Sequence, residues 1–104
     1  MLETYPPNDT QLTTSISTVW ARVSDTIPGI TTSDIDWSAS YVKLLFSDST
    51  IVVGTKSVSG DTIFWNLSSP LSVSDNYIME IYVKDNAGNS YKTYTRFIFD
   101  QSPP

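Results

Sequence analysis

Four aspartates are the first residues in this sequence whose type and spacing suggest chemistry. Asp34 and Asp36 lie two residues apart, and Asp25 and Asp85 each follow an alternating apolar segment. Carboxylate oxygens that converge at one end of a fold suit Ca²⁺. These four residues are therefore a candidate calcium site, and no other cofactor is expected. The spacing does not match an EF-hand, and aspartates in loops commonly cap turns by accepting backbone N–H bonds, so both interpretations stay open.

Aromatic side chains form a second candidate site. Trp37 directly follows the paired aspartates, and Tyr82 and Tyr94 fall at outward positions of two alternating segments. Exposed aromatic rings stack on sugars or anchor protein interfaces. These three residues predict contact with a polysaccharide or protein ligand. The alternative is that neighbouring domains cover them, or that they only pair across strands.

The composition removes most catalytic chemistry. The 104 residues include no cysteine and no histidine, so the sequence offers no thiolate, no cysteine nucleophile and no imidazole base. Asp34 and Asp36 form a carboxylate pair, but they share one loop. Nothing evident holds them at the separation that glycoside hydrolysis requires. We expect that the protein is not an enzyme.

Charge and composition bear on partners and location. The net charge is −5, and the six Lys and Arg residues form no cluster along the chain, which argues against nucleic acid. Ser and Thr exceed a quarter of the residues while only 16% are charged, a composition typical of extracellular β-domains. No apolar run is long enough for membrane insertion, and residues 1–4 do not resemble an export signal, which we expect to lie outside this sequence. The prediction is an extracellular protein, secreted or at the cell surface.

Apolar residues alternate with polar ones along most of the chain, which is the period of half-buried β-strands. Turn-forming residues separate these segments, and none shows a sustained helical period. The pattern predicts an all-β, immunoglobulin-like sandwich of about seven antiparallel strands. A weakly defined first strand falls within 10–17, and the others span 18–24, 41–46, 51–56, 62–67, 76–85 and 90–99. The strand at 51–56 can pair with the strand before it or the one after it.

Two aromatic residues make the predicted sandwich immunoglobulin-like. Tyr77 opens a strand just after a turn, where a tyrosine corner would donate a hydrogen bond back across the connection. Trp65 is in phase with Ile63 and Leu67. We therefore expect its indole to fill the space between the two sheets.

Several segments carry a family resemblance: Val19–Asp25, Pro28–Ile30, Tyr77–Val83, Asp85–Asn89 and Phe97–Asp100. They resemble the Ig-like and fibronectin type III-like repeats of multimodular bacterial surface and secreted proteins. The resemblance implies an Ig-like fold within a tandem array. The stretch 25–40 is longer than the connection usual in such repeats.

Diprolines stand near both ends of the chain, at Pro6–Pro7 and Pro103–Pro104. Because diproline favours extended, semi-rigid backbone, residues 1–7 and 101–104 are expected to be linkers around one domain at 8–100. The sequence then predicts a non-catalytic structural spacer that supports adhesion or the presentation of neighbouring domains, its partners in the same polypeptide. The alternative function is a carbohydrate- or protein-binding accessory module that uses the exposed aromatic residues.

Overall fold

The protein folds into β-strands joined by turns and loops. The structure is a computed structural model that describes residues 3–23, 30 and 34–100. Within these ranges no helix has the length and apolar character that a membrane span requires. The strands are β1 (Glu3–Tyr5), β2 (Thr10–Leu12), β3 (Thr18–Arg22), β4 (Tyr41–Leu45), β5 (Gly54–Ser59), β6 (Thr62–Leu67), β7 (Asp75–Lys84) and β8 (Ser90–Phe99).

The strands form two four-stranded sheets, in the orders β1-β3-β6-β5 and β2-β8-β7-β4. This arrangement confirms the predicted all-β, Ig-like sandwich. It differs from the prediction in having eight strands and one parallel pair, β2 with β8. The N-terminal stretch contributes two short strands, one to each sheet, because Pro6 and Pro7 lack the N–H groups needed to continue one ladder.

Two strand assignments are settled by the pairing. Glu3–Tyr5, within the stretch expected to be a linker, pair with β3 as an edge strand. The strand predicted at 51–56 lies at Gly54–Ser59 and pairs with β6, the strand after it. Ile51 forms only an isolated bridge to Leu45. The chain therefore passes from the edge of one sheet to the edge of the other across residues 51–53.

The core lies between the sheets and is built from the inward positions of the strands. Tyr77 is fully buried and its hydroxyl donates to the carbonyl oxygen of Val73 at 2.5 Å. The tyrosine corner is therefore confirmed. Burial raises the pKa of the Tyr77 hydroxyl, and the negative charge of Asp75 raises it further. The rings of Phe97 and Phe46 pack on Tyr77, each with centroids 5.5 Å away.

Trp65 is only partly buried and packs against the core rather than filling its centre. Its Nε1 donates to the carbonyl oxygen of Val52 at 2.9 Å. The indole lies over Gly54 of the edge strand β5, where an added Cβ would be 2.8 Å from Nε1. The expectation of a central tryptophan is thus corrected: the largest fully buried side chains are Tyr77, Phe97 and Phe99.

Candidate functional site

The three described aspartates of the predicted calcium site lie at one pole of the sandwich, and Asp25 lies outside the described residues. Asp34 accepts a hydrogen bond at Oδ1 from Asn86 Nδ2 at 2.7 Å. Asp36 Oδ1 accepts from Ser38 Oγ at 2.7 Å and from the Ala39 N–H at 3.3 Å. The Ser38 hydrogen bond is the main reason why the pKa of Asp36 lies below its usual value.

Asp85 is fully buried and fixes the turn between β7 and β8. Its Oδ1 accepts the backbone N–H of Asn89 at 2.9 Å, and its Oδ2 accepts the Asn89 side-chain amide at 3.0 Å. Asp34, Asp36 and Asp85 thus each stabilise a turn or a loop contact. Across the described ranges, no three acidic residues are grouped so that they could hold a metal ion.

Trp37 is separated from the other two predicted binding residues. Its ring is partly buried against the core, and its carbonyl oxygen accepts a hydrogen bond from Lys56 Nζ at 2.6 Å. Tyr82 and Tyr94 lie together instead on the outer surface of the second sheet, because they occupy outward positions of the paired strands β7 and β8. The structure therefore brings Tyr82 and Tyr94 to one face and leaves Trp37 at the pole.

That surface, the β4–β7–β8 face, consists of the outward side chains of these three strands. Strand pairing arranges its central part in three rows across the sheet, namely Tyr41–Tyr82–Lys92, Lys43–Glu80–Tyr94 and Leu45–Ile78–Arg96. Antiparallel pairing places directly opposite Cβ atoms roughly 5 Å apart, so side chains within a row contact one another.

Ring stacking and hydrogen bonding hold the first two rows in place. The rings of Tyr41 and Tyr82 stack with centroids 5.3 Å apart. Lys43 Nζ lies 4.4 Å from the Tyr41 centroid, and Lys92 Nζ lies 5.9 Å from the Tyr82 centroid, within the range of cation–π attraction. The Tyr41 hydroxyl donates to Glu80 Oε2 at 2.6 Å. Desolvation, with this hydrogen bond, raises the pKa of Tyr41 to about 12.

The face gathers most of the positive charge of an acidic chain. Four of the six Lys and Arg residues lie at its outward positions: Lys43, Lys84, Lys92 and Arg96. Glu80 is the one carboxylate at an outward position of these strands. None of the four cations forms an ion pair with a carboxylate in the described part of the chain, whereas Arg22 on the other sheet pairs with Glu3 and Asp61. Sequence analysis found no cluster because the four residues are remote along the chain.

A shallow groove of about 530 Å³ runs along this face. Lys43 and Glu80 line it, together with Tyr94 and Arg96. Sequence analysis singled out Tyr82 and Tyr94 but missed the cations around them. The period-two pattern contained the signal, since Lys92, Tyr94 and Arg96 share one parity of β8.

Comparisons with known proteins identify the fold and no family. No protein-family description and no curated protein matches the chain. CopC from Methylosinus trichosporium OB3b matches with a TM-score of 0.71 at 17% identity, over 94% of this chain and 89% of that chain. PcoC, a methionine-rich copper resistance protein from Escherichia coli, matches with a TM-score of 0.73 at 11% identity over 94% of each chain. Its selenomethionine form gives 0.72 at 10% identity, over 94% of this chain and 96% of that chain.

These neighbours correct several expectations drawn from the sequence. The matching structures are CopC and PcoC, not tandem Ig-like or fibronectin type III-like surface repeats. The spacer and adhesion interpretation is therefore wrong, as are its partners in neighbouring domains and the alternative of an accessory module with exposed aromatics. The turn motif at Asp85–Asn89 led to the wrong family prediction. Its hydrogen bonds stabilise a tight turn between two long strands, and such turns occur in many β-folds, so the motif indicates a fold rather than a family.

The cofactor expectation is corrected as well. PcoC is named a copper resistance protein, and this overturns the expected cofactor, which was calcium or none; the assignment of the four aspartates as metal ligands stays a prediction. The turn contacts of Asp34, Asp36 and Asp85 agree with that correction. The expected extracellular location is not affected.

Proposed function

We propose that this protein is a non-catalytic, extracellular binding domain that recognises an anionic ligand through the β4–β7–β8 face. One observation carries the proposal: four of the six Lys and Arg residues stand on this face without an ion-paired carboxylate among the described residues, in a chain of net charge −5. The proposal depends on charge; the tyrosines supply a rigid surface between the cations.

The arrangement of the face favours binding over a purely solvated surface. Like charges on one face repel one another, and the loss is offset when an anion approaches. Cations held against tyrosine rings lose less side-chain freedom on binding than free lysines do. The Tyr41 hydroxyl already donates a hydrogen bond to Glu80, so the Glu80 carboxylate competes less with an incoming anion for the nearby cations.

Copper handling is the second candidate, because PcoC is named a copper resistance protein. The described residues fit this metal poorly as direct ligands. Copper favours thiolate, thioether and imidazole ligands, and this chain has no cysteine, no histidine and two methionines. Met79 is fully buried in the core, and Met1 lies outside the described residues. A place in copper handling would therefore rest on contact with a metal-carrying partner rather than on a copper site in the described residues.

Titration with poly-L-glutamate by isothermal calorimetry tests the proposal. We expect the affinity for poly-L-glutamate to fall as the salt concentration is raised from about 20 to about 200 mM, because salt screens exposed charges. We expect no binding of poly-L-lysine. The triple variant Lys43→Gln, Lys92→Gln, Arg96→Gln should lose most of the affinity. Among single variants, Arg96→Gln should weaken binding, whereas its matched control Arg22→Gln, which removes one cation from the other sheet, should not.

Two results would count against this assignment. Equal loss in the Arg22→Gln control would show that net charge alone controls the binding. Tight, stoichiometric binding of Cu(I) or Cu(II) by a protein that does not bind poly-L-glutamate would favour the copper candidate instead.

A further inference from the structure

Strand β8 has an edge that its neighbours cover over only part of its length. Strand β2 pairs with residues 97–99 of β8, and Asn8 and Asp9 contact Arg96, while β7 pairs with all of β8 from Ser90 to Phe99. Among the residues that the structure describes, no strand pairs with the outer edge of 90–95. This uncovered segment, the open β8 edge, borders the β4–β7–β8 face.

Hydrogen bonds at Arg96 show which backbone groups face the open edge. The Arg96 N–H donates to Asn8 Oδ1 at 2.9 Å, and its carbonyl oxygen accepts from the Asp9 N–H at 2.7 Å, both on the side away from β7. Backbone groups alternate between the two sides of a strand. The N–H and C=O groups of Ser90, Lys92 and Tyr94 therefore point outward along this edge, without a strand partner in the described residues.

A cleft of about 650 Å³ lies beside the open β8 edge. Residues of the N-terminal stretch, Glu3, Thr4, Pro7 and Asn8, line it together with Tyr91, Thr93 and Thr95 of β8. The Thr95 hydroxyl is buried and has no hydrogen-bond partner among the described residues. Buried hydroxyls are nearly always hydrogen-bonded in folded proteins, so this group points to a partner that completes the site.

We propose that the open β8 edge binds an extended acidic peptide, which adds as a strand next to β8 and places its carboxylates over the β4–β7–β8 face. The inference rests on the proposed function and names its ligand class. Strand addition supplies main-chain hydrogen bonds, and alternate side chains supply specificity. Lys92 and Arg96 project to the outer side of β8, so a peptide's outward positions meet positive charge there.

The peptide's inward positions face a different environment. They meet Thr93 and Thr95 at the cleft, where the nearby carboxylate of Glu3 repels an acidic side chain and a hydroxyl or small apolar side chain fits. Five residues of β8, 90–94, span roughly 16 Å at the rise of an extended strand. The ligand is thus a segment of five to seven residues that alternates acidic with small or hydroxyl side chains.

Three heptapeptides test this inference by NMR titration at low salt. The first alternates Glu and Thr, the second replaces Glu by Gln, and the third is the Glu–Thr peptide with every backbone amide N-methylated, which keeps the charge but removes its N–H donors in either strand orientation. We expect the Glu–Thr peptide to bind tightest. It should slow the exchange of the Ser90, Lys92 and Tyr94 amides, while the Thr93 and Thr95 amides, which face β7, change little.

Two substitutions at Lys92 separate charge from strand addition. Lys92→Gln removes the cation only and should weaken Glu–Thr binding about two- to fivefold, as for one exposed ion pair. Lys92→Pro also removes the edge amide and should cost about a further two- to tenfold, as for one hydrogen bond. The amide of Lys92 does not bond to β7, so the proline variant keeps the ladder; its circular dichroism and melting curve verify this.

The outcomes distinguish the inference from the function on which it rests. Equal affinity for the Glu–Thr peptide and its N-methylated form, without amide protection, would overturn strand addition and leave anion binding in place. Equal affinity for the Gln–Thr peptide would overturn the acidic specificity. Failure of the acidic peptides and of poly-L-glutamate alike would overturn both.

Discussion

Removing the hydroxyl of Tyr77 isolates one hydrogen bond in the middle of the core. In Tyr77→Phe the ring keeps its packing on Phe97 and Phe46, while the bond to the Val73 carbonyl oxygen is lost. A buried hydrogen bond contributes about 0.5–1.5 kcal/mol net. Val73 is 54% exposed, so water can reach the carbonyl left behind. We therefore expect a loss of about 1 kcal/mol rather than the larger cost of a buried, unpaired acceptor.

Urea unfolding followed by fluorescence measures this loss. The midpoint should fall while the slope of free energy against urea stays constant, because both variants expose the same surface. The melting temperature should drop by about 4–8 °C. Tyr94→Phe is the matched control: Tyr94 is 52% exposed, so its midpoint should not change. An unchanged midpoint in Tyr77→Phe, or an equal loss in Tyr94→Phe, would refute the assignment of stability to the corner hydrogen bond.

Two further predictions concern Gly54 and Tyr41. Gly54→Ala places a Cβ 2.6 Å from the Asn66 carbonyl oxygen and 2.8 Å from Trp65 Nε1, so it should cost about 1–3 kcal/mol in urea melts; Ser59→Ala, at an exposed position of the same strand, should cost far less. The pKa of Tyr41 is raised to about 12, above the usual value near 10, so its contribution to stability is complete below about pH 10 and is lost as the pH rises through 12. Tyr41→Phe should therefore lose less stability than the wild type between pH 10 and 12.

Much of the fold follows from the sequence because strand periodicity is a local signal. The alternation of Met79, Ile81 and Val83 with polar residues places those three side chains inward, and all three are fully buried. Tyr77 was identified for the same reason, since its position relative to a turn defines the corner. Of the two strands of 3 residues at the N-terminus, β2 lies within the weakly defined strand predicted at 10–17, whereas β1 was missed because so short a segment contains no period. Their division between two sheets depends on pairing partners elsewhere in the chain.

The candidate site was harder to predict because it depends on register. Lys43 and Glu80 face each other only because β4 pairs with β7 in one particular alignment, and Tyr94 joins them through β8. A shift of one residue would move each side chain to the opposite side of the sheet. Tyr82 and Tyr94 were recognisable individually as outward aromatics, but the charge around them emerges only after three strands are aligned.

The structural likeness to PcoC and the absence of cysteine and histidine from this sequence are compatible, because a sandwich fold fixes strand positions and leaves side chains free to differ. In this chain, the polar groups differ in whether they remain available to bind a ligand. Asp34, Asp36 and Asp85 at the pole are used in turns, and Arg22 on the other sheet is ion-paired. On the β4–β7–β8 face, by contrast, Lys92 and Arg96 stand beside a strand edge with outward N–H and C=O groups. Binding free energy comes from groups whose interactions improve in the complex, so this face and edge are where a ligand gains most.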